Sequence, residues 1–184
     1  MALYVVSGLS GSGKSTVLKW LKEYGKLKPN SAVIDQDSYF YSRQGKKHKM
    51  PNVRLSSGQT TINYDSPLSI DNKKLEEDVK LHLSEGKNVY LSGFIFRSGM
   101  YDLNPDLHFH IIIGKEMSLQ RREQSKNYTN DFARNKDKMM MEEVIFPEYL
   151  ETLRLSKIDY YLDGTKQIRQ NGDFIVTKIN DLPY

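Results

Sequence analysis

Eight residues near the N-terminus constrain this chain more than any others: Gly8-Leu9-Ser10-Gly11-Ser12-Gly13-Lys14-Ser15. They satisfy the pattern G-x-x-x-x-G-K-[ST] at every fixed position. The apolar run Leu3–Ser7 before them predicts a buried strand, and Ser15–Lys26 after them predicts a helix. Between a strand and a helix, such a glycine-rich turn folds so that its N–H groups point inward and cradle phosphate oxygens. The helix N-terminus adds partial positive charge at the same place. In that setting Lys14 reaches the β- and γ-phosphates and the Ser15 hydroxyl ligates Mg²⁺. The candidate nucleotide-binding residues are Gly8, Ser10, Gly11, Ser12, Gly13, Lys14, Ser15 and Thr16.

At 184 residues the chain is long enough for one domain, 1–184, with a sizeable core. Its net charge of +4 is mild and gives no nucleic-acid signature. It has no cysteine, which excludes disulfides, thiol catalysis and cysteine-held metals and suits a cytoplasmic location. No apolar run approaches the roughly 20 residues of a membrane span, and Leu3–Val6 is too short for a signal peptide. No membrane association and no obligatory protein partner are expected.

Ser31–Ile34 predicts a second parallel strand, which delivers Asp35-Gln36-Asp37 to its C-terminal end, where ligands sit in open α/β sheets. From spacing alone Asp35 and Asp37 are equal candidates for the carboxylate facing the γ-phosphate, and either fits an Asx turn. Trp20, on the first helix, is expected in the core. The basic, polar stretch Tyr41–Gln59 predicts a mobile solvated loop, with a substrate-closing flap as the sharper alternative. Asp71 predicts the N-cap of a helix running to Gly86, and Asp65 falls in a turn before Pro67. Asn88–Phe96 and Leu107–Ile113 predict the third and fourth strands, with His108 and His110 on a strand face rather than on a metal. Met117–Lys126 predicts a basic helix. Tyr128–Met141 is polar, then Met-rich. Glu142–Leu155 predicts a helix broken near Pro147, and Asp159–Asp163 a fifth strand. Phe174–Leu182 shows weak helical spacing.

Alternating strands and helices predict three α/β/α layers of the P-loop NTPase type, with a central parallel sheet of about five strands. The Asn-Lys-x-Asp motif of GTPases is absent, and the best candidate for the Asp-ended strand of motor ATPases, Val89–Leu91, ends in Ser92. A small-molecule kinase needs the phosphate loop, a carboxylate after the second strand and a basic lid, here about residues 122–140.

Several segments together resemble the uridine kinase and nicotinamide riboside kinase group, most closely the latter. Val33-Ile34-Asp35-Gln36-Asp37 is similar to the group's Gln-Asp segment, which implies Asp37 as the catalytic base and a metal-holding carboxylate. Asn63-Tyr64-Asp65 is similar to the segment whose Asp binds the ribose hydroxyls and whose Tyr stacks on the base. Gln120-Arg121-Arg122 through Lys126 and Tyr128 resembles the lid, and Tyr161-Leu162-Asp163-Gly164-Thr165-Lys166 a segment near the adenine pocket. The long insertion of uridine kinases between Gly86 and Val89 is missing. In the group's third strand an acidic residue usually precedes Gly-Phe, whereas this chain has Ser92 before Gly93-Phe94.

The resemblance implies transfer of the ATP γ-phosphoryl group to the 5′-hydroxyl of a riboside, nicotinamide riboside first. Lys14, Asp37 and Arg122 would be catalytic. Ser15 and Asp37 would hold Mg²⁺. Lys126, Thr165 and Lys166 would join the nucleotide site, and Tyr64, Asp65 and Tyr128 would join Asp37 around the riboside. Tyr128 and Phe132 are candidates for a second aromatic wall over the base. A pyrimidine nucleoside kinase is the alternative within enzymes, and a nucleotide-binding regulatory protein without catalysis, prompted by Ser92, the alternative outside them.

Overall fold

The computed structural model describes every residue except Asn127, Thr129 and Tyr184. Among the described residues, seven strands and six α-helices follow in the order β1 (Leu3–Gly8), α1 (Lys14–Glu23), β2 (Ser31–Asp35), β3 (Asn52–Arg54), β4 (Thr60–Ile62), α2 (Asn72–Ser84), β5 (Asn88–Gly93), β6 (Leu107–Ile112), α3 (Lys115–Ser125), α4 (Asp131–Met140), α5 (Phe146–Leu155), β7 (Tyr160–Asp163) and α6 (Ile168–Asn180). Five of the strands form one parallel sheet in the order β2-β5-β1-β6-β7. This is the expected three-layer P-loop architecture. The order reverses at β1, so the connections leaving β1 and β5 run in opposite directions across the sheet and open a crevice beyond the strand C-termini.

Alternation along β1 sorts its side chains to the two faces. Tyr4 and Val6 pack with Val17, Leu18 and Leu21 of α1 and Ile175 and Ile179 of α6. Leu3 and Val5 pack with Leu75 and Val79 of α2. Leu75 and Val79 are wholly buried, and each such side chain contributes about 1.5–3 kcal/mol. A third cluster, including Leu9, Phe94, Met140, Ile145 and Tyr149, lies beyond the strand ends. Among the described residues, no helix is long and apolar enough to cross a membrane.

Five local expectations are corrected. Tyr41–Gln59 is not simply a solvated loop: β3 pairs with β4 in an antiparallel hairpin, and Met50 and Leu55 are buried. The Ser56 N–H and hydroxyl donate to the Glu143 carboxylate at 2.8 and 2.5 Å, a tie across 87 positions of sequence. The polar segment after Tyr128 holds α4, capped by the Asn130 side chain, which accepts from Ala133 N–H. Pro147 does not break the following helix. In a regular α-helix its ring would meet the Glu143 carbonyl, but Met141–Ile145 forms a wider π turn that joins α4 to α5. Finally, the last helix begins at Ile168, ahead of the weak pattern at Phe174. Gly172 is its contact point: a Cβ there would lie 2.4 Å from the Trp20 ring. Trp20 is accordingly half-buried at the α1–α6 seam rather than enclosed in the core.

Candidate active site

The phosphate loop closes tightly over the end of β1. A Cβ on Gly8 would lie 2.5 Å from the Ile111 carbonyl oxygen and 2.6 Å from Ser12 Oγ, so only glycine fits. Gly13 occupies the N-cap of α1 and supplies no side-chain acceptor, which leaves N–H groups of the first turn for a ligand. A cleft of about 640 Å³ opens there, lined on the loop side by Ser10, Gly11, Gly13, Lys14, Ser15 and Thr16. Gly8 and Ser12 shape the loop from behind. Ser12 is buried, and its Oγ has no hydrogen-bond partner among the described residues. The Lys14 ammonium donates to the Leu9 carbonyl at 3.4 Å. Burial lowers its pKa against the pull of Asp37, Asp35 and Asp65.

Two side chains of α3 brace this loop. Ser118 Oγ donates to the Ser10 carbonyl at 2.7 Å. Arg121 donates to the Gly11 and Gly164 carbonyls, both at 2.9 Å. Arg121 therefore braces the loop, whereas its neighbour Arg122 lines the cleft. Thr165 and Lys166 follow Gly164 on the strapped segment. Both are exposed and neither lines the cleft; Thr165 N–H and Oγ1 donate to Asp163 at 2.8 and 2.6 Å.

Across the cleft the two aspartates after β2 separate in role. Asp35 Oδ1 accepts from the Asp37 N–H at 3.1 Å and caps the short turn Gln36–Tyr39. Asp37 faces the cleft. Its carboxyl lies above the usual carboxylate range, through desolvation first and the Asp35 charge second, with Lys14 and Arg43 pulling it back. Gln36 between them is wholly buried. Its Oε1 accepts from Phe94 and Ile95 N–H at 2.9 and 3.1 Å, and its Nε2 donates to the Ile95 carbonyl at 2.7 Å. This clamp ties the end of β2 to the end of β5.

Tyr64 and Asp65 reach the same cleft, beside Thr61 and Ile62 of the hairpin. Tyr64 stands edge-on to Phe40 with ring centroids 6.2 Å apart. Asp65 is pushed up to about 6, by burial first, while Arg122 and Lys126 oppose the rise. A further wall of the cleft comes from Arg122, Lys126 and Tyr128 and from α4, which presents Ala133, Lys136, Asp137 and Met140 at helical spacing. Asp137, which sequence reasoning missed, is the hub of this wall. It accepts from Arg122 Nε and Nη2 at 3.0 and 2.6 Å, from Lys126 Nζ at 2.6 Å and from Tyr128 OH at 2.6 Å. Burial alone would raise the Asp137 carboxyl; these hydrogen bonds outweigh it and hold the group far below its ordinary value. Phe132 does not line the cleft, and it is 67% exposed.

Residues 3–163 match the phosphoribulokinase/uridine kinase family. The chain belongs to that family. The protein is accordingly a kinase that uses ATP to phosphorylate a small substrate. No curated protein matches it. Among solved structures it is similar to an unliganded sugar kinase from Janibacter sp. HTCC2649, at 16% identity and a TM-score of 0.61, with 100% of this chain and 96% of that chain covered. At that identity the likeness speaks for the fold.

Among the described residues of the kinase, no cluster of three or more His, Cys, Asp or Glu side chains is placed to hold a metal. Mg²⁺ in kinases takes one or two protein oxygens and completes its shell with phosphates and water. The Ser15 hydroxyl and the Asp37 carboxylate, both open to the cleft, are donors of the right kind. Ser92 is buried, in register with Asp35 of β2 and Val6 of β1.

Beneath the phosphate loop the two histidines of β6 enter a directional hydrogen-bond chain. The Lys157 carbonyl only accepts, so His108 Nδ1 carries the proton there, at 2.8 Å. His108 Nε2 then accepts from Ser7 Oγ at 2.6 Å. Having used its proton, Ser7 Oγ accepts from His110 Nδ1 at 2.7 Å, and His110 Nε2 accepts from Tyr149 OH at 3.0 Å. Both imidazoles are neutral. Burial lowers both, His110 to about 3, where the charge that His108 carries when protonated and that of Lys14 add to the effect.

Proposed function

We propose that this kinase transfers the γ-phosphoryl group of Mg·ATP to the 5′-hydroxyl of a riboside, with nicotinamide riboside as the foremost acceptor. What supports the reading is the sharing of one cleft by Lys14 and Ser15 of the phosphate loop, Asp37 across from them, and the adjacent pair Tyr64 and Asp65. Lys14 and the loop N–H groups bind the phosphates. Asp65 accepts hydrogen bonds from the vicinal ribose hydroxyls, and Tyr64 flanks the base. Asp37 orients the 5′-hydroxyl and takes its proton as the new O–P bond forms and the bond between the γ-phosphorus and the β,γ-bridging oxygen breaks, releasing ADP. Ser15 and Asp37 would hold Mg²⁺, which would supply positive charge against the phosphates. Arg122 and Lys126, within a lid of about residues 122–140, close over the nucleotide and stabilise charge in the transition state. Asn127 and Thr129 of that span lie outside the described residues. Thr165 and Lys166, which lie outside the cleft, would meet only a part of the nucleotide that extends beyond it.

ADP release is measured with nicotinamide riboside, uridine, cytidine, adenosine and no acceptor. Riboside-dependent turnover is expected, falling by about 10²–10⁴-fold in Asp37→Asn while ATP binding survives. Full activity in that variant would refute the assignment of the base. Turnover with uridine or cytidine alone would move the acceptor to pyrimidine nucleosides. ATP binding without turnover on any acceptor would favour a non-catalytic binder.

A further inference from the structure

We propose that Asp137 is the positioning residue of the lid, fixing Arg122 and Lys126 side by side with their remaining N–H groups free for the nucleotide phosphates. The inference rests on the kinase reading above and deepens it. Arg122 and Lys126 stand four residues apart on and just past α3, a spacing at which like charges repel. Asp137 reaches them from α4 and gives both a common counter-charge. Its side chain and that of Arg122 are each only 11% exposed, so the pair sits where geometry is held firmly.

The contacts leave donors to spare. Arg122 spends its Nε and one Nη2 hydrogen on the two Asp137 oxygens, which leaves Nη1 unused by this fork. Lys126 spends one of three hydrogens. Tyr128 closes the last side with its hydroxyl. The cluster therefore carries one net positive charge in a fixed orientation rather than two mobile ones. Asp137 also has a rival: Asp65 lies within electrostatic reach of both cations. Without Asp137, Arg122 turns to Asp65, which deprives the phosphates of a donor and the ribose of an acceptor at once.

The test is a double-mutant cycle on binding of Mg·AMP-PNP, a non-hydrolysable ATP analogue, by calorimetry. Asp137→Asn weakens binding about tenfold, the scale of one charge-assisted hydrogen bond. In an Arg122→Gln background most of that loss disappears, because the residue acts through Arg122. Asp137→Glu recovers part of the affinity. Tyr128→Phe, which removes one hydrogen bond to Asp137 and leaves both cations in place, weakens binding about two- to fivefold and serves if Asp137→Asn does not fold. Unchanged or tighter binding in the folded Asp137 or Tyr128 variants overturns the proposal, as does an equal loss in both backgrounds. Coupling without riboside turnover overturns only the acceptor assignment, and wild-type protein that fails to bind AMP-PNP overturns both.

Discussion

Lowering the pH from 8 to 5 withdraws about 2 kcal/mol of stability through His110 alone. The imidazole is 1% exposed and titrates near 3 in the fold against 6.5 when free. A base whose folded value is depressed contributes stability that is complete above the unfolded value and is lost as pH falls below it. At pH 5 the unfolded chain has taken up the proton almost fully and the folded chain hardly at all, a gap of roughly 1.5 pH units at 1.36 kcal/mol each. The site cannot accept a proton on Nε2 without displacing the Tyr149 hydroxyl proton, and Ser7 has no second proton to rearrange. Asp65 works in the opposite sense over the same range, because its carboxyl is raised to about 6, so the change in whole-protein stability understates the histidine. The variant His110→Gln isolates it, since glutamine keeps one donor and one acceptor and does not titrate. Urea unfolding followed by the fluorescence of Trp20, the one tryptophan in the chain, gives ΔG at pH 8, 7, 6 and 5. The stability difference between wild type and variant is expected to shrink by about 2 kcal/mol across that range. A difference constant with pH would refute the assignment of a neutral, proton-excluding His110.

Asp65→Asn is expected to stabilise the ligand-free protein by roughly 1–3 kcal/mol at pH 7, since a carboxyl raised to about 6 loses stability as pH rises through that value; the same change should raise the KM for the riboside, and a melting temperature that falls would count against it. Gly172→Ala improves helix propensity yet places a methyl 2.4 Å from the Trp20 ring, so a net loss of about 1–3 kcal/mol is expected. Thermal denaturation decides that case, and a stabilised variant would show that the α1–α6 seam yields freely.

Legibility followed the range of the interactions. The five parallel strands, α1 and α2 were readable because their apolar periods and caps are local: Asp71 accepts from Lys74 N–H three residues on. Asp37, Tyr64, Asp65, Arg122 and Lys126 were found through segment resemblance, and they share one cleft. The hairpin β3–β4 was missed because its strands have three residues each and its anchor, Glu143, is remote. Asp137 carried no local mark; only the approach of α4 to α3 makes it a hub. The alternation of His108 and His110 gave their placement on a strand face. Their tautomers depend on Ser7 and Tyr149, from two other elements, and no pattern within β6 announces that. Arg121 and Arg122 are neighbours in sequence, but the helical turn sends one to the phosphate loop and the other to Asp137 on α4.

The π turn at Met141–Ile145 also bears on how the chain can change in length. A π turn stores one residue more than the α-helix around it requires. The wider turn spreads its residues over about the arc that one fewer would take in an α-helix, so α4 and α5 keep their faces and Asp137 stays on Arg122. Deleting one of the five would leave those faces nearly in phase but would return the turn to α-helical bonding and set the Pro147 ring against the carbonyl four residues before it. The extra residue is thus what lets a proline sit inside a helix that carries Asp137 to the cleft. Insertions in the exposed turn at Gly45, where nothing lies within 4 Å of a built Cβ, carry no such penalty.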